Sequence, residues 1–197
     1  MRRSTVMCVL MMTLVLTACG GTARGDDPRE QALAIRAAYL AADSYAAKLD
    51  VTADYGQRVY TYSVDVTVAG GESVLAVTAP AELAGITARL TDGQSQLEYD
   101  GAALETGPLS PDGLTPLGAV PALLECVRSG FIDNCGVERL GERDTIRVLC
   151  RDPERPAGQG REITLWFDVA DHTLIQGEVA VDGHRVILCE FQKFVMN

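Results

Sequence analysis

The sequence predicts an α+β domain: a strongly curved antiparallel sheet with two helices covering its concave face. Three observations predict it. About nine short segments alternate apolar with polar residues at a period of two, as strands with one wet side do. Glycine-containing pairs of the hairpin kind join many of them. Two segments of helical character fall before and within the strand series, and an open sheet of so many strands curls and needs something against its inner side.

The chain opens with Arg2 and Arg3, an apolar run from Val6 to Val15, and Leu16-Thr17-Ala18-Cys19 followed by Gly20. A basic start, an apolar stretch and small residues before a cut are the parts of a secretory signal. The apolar run falls short of the roughly 20 residues a membrane span needs. Leu16 to Cys19 resembles the bacterial lipobox, a branched apolar residue, two small ones, then Cys. That resemblance implies cleavage between Ala18 and Cys19 and a diacylglyceryl thioether on the Cys19 sulfur. An ordinary signal peptide with an incidental Cys is the alternative. Two acyl chains at about 0.8 kcal/mol per buried methylene hold a protein on a bilayer effectively permanently. The expected location is the extracytoplasmic face of the cell membrane, anchored by lipid.

The expected organisation is a signal over 1–18, a Gly-rich polar tether over 19–26 and one domain over 27–197. Removing 1–18 leaves 179 residues and takes the net charge from −10 to −12. So acidic a chain is a poor partner for nucleic acid or for an anionic bilayer surface.

Asp27-Pro28 opens the first helix, with Asp27 as cap and Glu30 three residues on. It runs to Ala42 or Ser44, with Leu33, Ala37, Leu40 and Ser44 on one face and Ile35, Tyr39 and Ala42 on another. Tyr60, Tyr62, Val64, Val66 and Val68 then alternate with polar residues, Gly70-Gly71 turns the chain, and Ser73–Ala79 returns. Ile86–Leu90, Gln94–Tyr99 and Ala102–Glu105 continue through turns at Asp92-Gly93 and Asp100-Gly101. Four prolines between Pro108 and Pro121 mark a loop leading to a second helix over 116–128, with Gly130 beyond its end. The polar stretch 131–144 has no clear period. Strands follow at Thr145–Arg151, Ile163–Asp168, Leu174–Val181 and Arg185–Phe194, with a loop over 153–160 and a turn at Asp182-Gly183.

Cys8 leaves with the signal, so four cysteines stay in the domain: Cys126, Cys135, Cys150 and Cys189. An even number in an exported chain suggests disulfides, and four cysteines allow three pairings. Cys126 and Cys135 are near in sequence. Cys150 and Cys189 fall on apolar strand faces, where they suit a bond or two buried thiols. Zinc is not expected, since no C-x-x-C occurs and His172 and His184 are the only histidines. No cofactor motif is present, because Gly70-Gly71 sits in a hairpin and not before a helix. No catalytic set is expected: both histidines fall in turns and no G-x-S-x-G elbow exists.

The order of features is similar to one known family. It rests on Val77-Thr78-Ala79-Pro80-Ala81-Glu82-Leu83-Ala84-Gly85 before Ile86, and on Asp92-Gly93 with Leu97 and Tyr99. It rests also on the Pro-rich approach to the second helix, on Leu165-Trp166-Phe167-Asp168, and on Glu178, Asp182-Gly183 and Phe194. The chain resembles the lipoprotein-localisation family, which includes LolA, LolB, LppX-type and GerS-like germination lipoproteins. The resemblance implies an unclosed β-barrel around an apolar cavity with helices as its lid. It implies either an acyl ligand in that cavity or a role as non-catalytic partner of a cell-envelope or spore-cortex enzyme. The candidate lining is Tyr60, Tyr62, Val64, Val66, Leu75, Val77, Trp166 (or Leu165), Ile175 and Val179; the bland reading makes these plain core. Basic residues between Arg139 and Arg161, Arg143 and Arg151 among them, form a candidate patch for an anionic partner.

Overall fold

The computed structural model describes residues 27–91, 94–107 and 112–197. The signal, Ala18, Cys19, the tether, the Asp92-Gly93 turn and residues 108–111 lie outside the described residues.

Helix α1 spans Pro28–Ala41 and α2 spans Pro116–Ser129. Both begin as their sequences dictate, with Pro at the first position and a capping side chain. Asp27 accepts from the Arg29 N–H at 3.0 Å, and the Thr115 hydroxyl accepts from Gly118 N–H at 3.1 Å. Eleven strands make one antiparallel sheet: β1 Ser44–Asp54, β2 Val59–Ala69, β3 Glu72–Ala79, β4 Thr87–Thr91, β5 Gln94–Tyr99, β6 Ala102–Glu105, β7 Ile132–Leu140, β8 Arg143–Arg151, β9 Arg161–Asp168, β10 Leu174–Val181 and β11 His184–Met196.

The spatial order is β6-β5-β4-β3-β2-β1-β11-β10-β9-β8-β7. Every strand lies beside its sequence neighbours except β6 and β7, and the sheet has one further junction. The first and last strands meet at the centre, where β1 pairs with β11. The chain also leaves one open edge at β6 and re-enters at the other, β7. The link between the edges contains α2, so α2 crosses the inner face and covers it. The sheet is thus curved and unclosed, with two helices on its concave side, as the sequence predicts.

Directly opposed residues on neighbouring strands share a face. One such row runs Cys135, Val148, Leu165, Gly177, Cys189, Val51, Tyr62 from β7 to β2. A second runs Phe194, Ala47, Val66, Leu75, Ala88, Leu97, Leu104 to the β6 edge. Most of these are buried, whereas Leu104 at the edge is 64% exposed. The helices pack over the β7–β11 half and β1, which explains the gradient. Helix α2 sits low on the sheet because Gly177 has no side chain: a Cβ there would lie 2.5 Å from Leu123 Cδ1.

Two strands are absent from the nine that the sequence predicts. β1 inserts Tyr45, Ala47, Leu49, Val51 and Ala53 into the core with strict alternation, but its alanines continue the composition of α1. β7 is an edge strand with mostly exposed side chains, so it carries little apolar pattern. Of the two faces of α1 read from the sequence, the one carrying Ile35 and Tyr39 turns inward. Ala32, Ile35 and Tyr39 are buried, while Leu33 and Leu40 are 51% and 54% exposed. Tyr39 anchors the helix at the centre of an aromatic cluster with Tyr45, Phe167 and Phe194. Burial holds its phenol well above the usual range, and the hydroxyl donates to the His172 carbonyl at 3.3 Å.

Candidate functional site

The C-terminal half of α2 stands over the ends of β8 and β9, and a recess of about 520 Å³ opens there. Its apolar wall is Ala122, Cys126, Phe131, Cys150 and Ile163. Its polar rim carries Arg151, Arg155 and Arg161 together with Glu125 and Asp152. Behind it, under α1 and α2, is a gap of only about 10 Å³ lined by Ala32, Ile35, Val127, Ile132, Val148, Leu165 and Phe167. That is about the volume of one water-sized probe. Cys126 and Cys150 line both spaces.

Local sequence explains the placement of each wall residue. Cys126 lies in the last turn of α2, and Gly130 N–H returns to its carbonyl at 2.8 Å. Gly130 is required there, since a Cβ would approach that carbonyl oxygen at 2.6 Å and Cys126 Sγ at 2.8 Å. Cys150 points inward from β8 in the row Ile132, Cys150, Ile163, Val179, Ile187, Ala53, Tyr60. The proximity of the Cys150 sulfur, together with burial, pushes the Cys126 thiol up. Phe131 is half exposed at the start of β7.

The arginines of the rim are already engaged. Arg151 Nη2 pairs with Asp133 at 2.7 Å, and Arg151 Nη1 donates to the Arg155 carbonyl. The hydrogen bond from Arg151 holds the Asp133 carboxyl below its ordinary value. Arg155 Nε lies 3.5 Å from Asp152 and its side chain is 61% exposed.

Of the sequence-predicted site residues, Cys126, Cys150 and Arg151 meet at this recess. Tyr60, Tyr62, Val64, Val66, Leu75, Val77 and Val179 share the inner face with the core but line neither space. Two expectations are corrected. Trp166 lies on the face of β9 opposite to Leu165, between Arg147 and Gln176, where it is buried but outside the cavity side of the sheet. Ile175 falls in the register irregularity between Leu174 and Gln176 and borders an outer depression with Leu140, Arg143 and Glu190.

Cys126, Cys135, Cys150 and Cys189 are unbonded in this structure, and their neighbours are not those that sequence proximity suggests. Cys135 opposes Val148 on β7, away from the Cys126–Cys150 pair. Cys189 on β11 is separated from Cys150 on β8 by β9 and β10, about three strand spacings of 4.8 Å and beyond bonding reach. Burial pushes both the Cys189 and Cys135 thiols up. Arg143 and Arg151 do not form one patch either. They stand at opposite ends of β8, eight residues and about 27 Å apart along the strand.

Phe131, Ile163 and Ala122 were not legible as site residues, because their meeting depends on where α2 ends over the sheet. Among the described residues no three His, Cys, Asp or Glu side chains gather into a cation-holding group. Among them no helix is long and apolar enough to cross a membrane.

No family model and no curated protein matches the chain. Solved structures do. An uncharacterised conserved protein of Thermus thermophilus matches at 10% identity over 87% of this chain and 88% of its own, with a TM-score of 0.53. The lipoprotein LppX of Mycobacterium tuberculosis matches at 17% identity over 85% and 92%, with a TM-score of 0.48. A LolA superfamily protein of Nitrosomonas europaea matches at 11% identity over 86% and 93%, with a TM-score of 0.44. At these identities the likeness is one of fold alone, and the Thermus protein carries it.

Proposed function

We propose that this chain is a lipid-anchored, non-catalytic protein of the extracytoplasmic membrane face that binds an apolar or acyl compound. The recess at the end of α2 is the observation that carries the reading. Its volume of about 520 Å³ falls within the roughly 300–1,000 Å³ of small-molecule sites. Its wall is apolar, and the exposed Arg155 stands at its rim. An amphiphile fits that pairing, with hydrocarbon against Phe131 and Ile163 and an anionic head near the guanidinium. The space behind the recess is nearly filled, so the compound lies at the seam between helix and sheet and not along the length of the half-barrel.

The test is solvent extraction of the full chain purified from its native membrane, followed by mass spectrometry. A stoichiometric apolar compound is expected, and Ile163→Asp should deplete it. A blank extract from the unaltered protein rejects the reading.

A second reading, an anchored partner of a cell-envelope or spore-cortex enzyme, is favoured by a different feature. Tyr55, Val59 and Tyr60 are all exposed near the turn joining β1 and β2, and Tyr60 stacks on Tyr62. Aromatic residues on a surface are frequent anchors of protein interfaces. A photo-crosslinker placed at Tyr60 in native cells should then yield one adduct with an envelope enzyme; no adduct removes this reading.

A further inference from the structure

We propose that Cys126 and Cys150 are joined by a disulfide in the exported protein, pinning the last turn of α2 to strand β8 where the outer recess meets the interior. Three observations on the two side chains support it. They border the same gap of only about 10 Å³ under the two helices, near enough for each sulfur to influence the other. Both are buried, at 7% and 4% exposure, so the pair is held by the packing around it. Both belong to the walls of the recess and of the gap behind it, so a bond between them sits at the boundary of the two spaces.

A fourth observation is the crowding around the pair. Gly130 leaves space for the Cys126 sulfur that any other residue would fill, and Arg36 holds the carbonyls of the same turn from α1. The geometry around the sulfurs is therefore set before any bond forms. The signal read in the sequence sends the chain to a compartment where such bonds persist. Oxidation takes place as α2 docks on β8, before burial shields the thiols from exchange. The two thiols give up two protons and two electrons. A disulfide of an envelope thiol–disulfide oxidoreductase accepts the electrons and leaves as a dithiol, through a mixed-disulfide intermediate. Cys135 and Cys189 stay reduced.

The inference does not depend on the ligand reading, and its test reads covalent mass alone. The full chain is exported and purified from membranes, its free thiols are alkylated under denaturing conditions, and it is digested with trypsin without reductant. Cleavage places each cysteine on a separate peptide: 90–128, 129–139, 148–151 and 186–193. The expected product is 90–128 linked to 148–151, two mass units below the sum, with 129–139 and 186–193 alkylated. Four alkylated peptides, or a link to 129–139 or 186–193, overturns the proposal. A second measurement needs no variant: reductant added to the unaltered protein should lower its melting midpoint by roughly 10 °C, the effect of opening a loop of this length. The Cys126→Ser/Cys150→Ser protein should melt near the reduced wild type and be insensitive to reductant. An unaltered midpoint on reduction also overturns it.

Discussion

Arg36 of α1 holds the end of α2 in place: its Nε donates to the Val127 carbonyl at 2.8 Å. Its Nη2 reaches the Gly130 carbonyl at 2.5 Å. A helix ends with carbonyls that lack partners inside the helix, and its C-terminus carries partial negative charge. One guanidinium from the neighbouring helix answers both. The contact fixes the two helices to one another and, with them, the turn that carries Cys126.

Arg36→Leu removes both hydrogen bonds and leaves the carbonyls half-buried. The expected loss is about 1.5–3 kcal/mol of unfolding free energy, typical of charge-assisted bonds. Arg36→Lys should recover only part of it, because an ammonium cannot bridge two acceptors in a fixed fork. Denaturant titration of the three proteins checks the order.

Gly177→Ala tests how low α2 sits. The added Cβ would meet Leu123 Cδ1 at 2.5 Å, and overpacking of this kind costs about 1–3 kcal/mol. In Leu123→Ala the same substitution should be much milder. A double-mutant cycle with no coupling between the two sites would contradict the packing described.

The buried face of α1 is checked by a pair of truncations. Ile35 is 1% exposed, so Ile35→Ala should cost about 2–5 kcal/mol. Leu33 is 51% exposed, so Leu33→Ala should stay within about 0.5 kcal/mol. Equal effects would mean that the helix is rotated.

Asp133 gives the pH dependence of the recess rim. The hydrogen bond from Arg151 depresses its folded value below the ordinary 3.8. A carboxylate depressed in the folded state stabilises above its unfolded value and loses that contribution as pH falls through the folded one. Melting midpoints of the wild type should therefore fall below about pH 4 with a component that Asp133→Asn lacks. Parallel curves over that range would show that the pair contributes nothing to folding.

Anchoring is tested at Cys19. Cys19→Ser should abolish incorporation of labelled palmitate and move the protein out of the membrane fraction. A variant that remains membrane-bound and labelled overturns the lipobox reading.

Much of the fold was legible because local rules agree with it. The alternation at Tyr60–Val68, the turn at Gly70-Gly71 and the capped start at Asp27-Pro28 each state a backbone conformation in a few residues. β1 was obscured by alanines that suit helix and strand alike, and β7 by its edge position, which asks for little apolar surface. The placement of Trp166 on the face opposite to Leu165 was hidden because Leu165-Trp166-Phe167 is apolar on both sides, so period-two reasoning has no phase to read.

The amino-acid order alone determined an antiparallel strand series and two helices, since each is encoded by neighbours in the chain, and it alone carries the proposal of a lipobox at Cys19. Only the tertiary structure decided that Cys126 and Cys150 border one gap, that Arg143 and Arg151 stand apart, and that a recess opens at the end of α2. Those facts follow from a crossing that carries the chain from one sheet edge to the other. Where a crossing helix comes to rest depends on contacts such as Gly177 with Leu123, between residues more than fifty positions apart in the sequence.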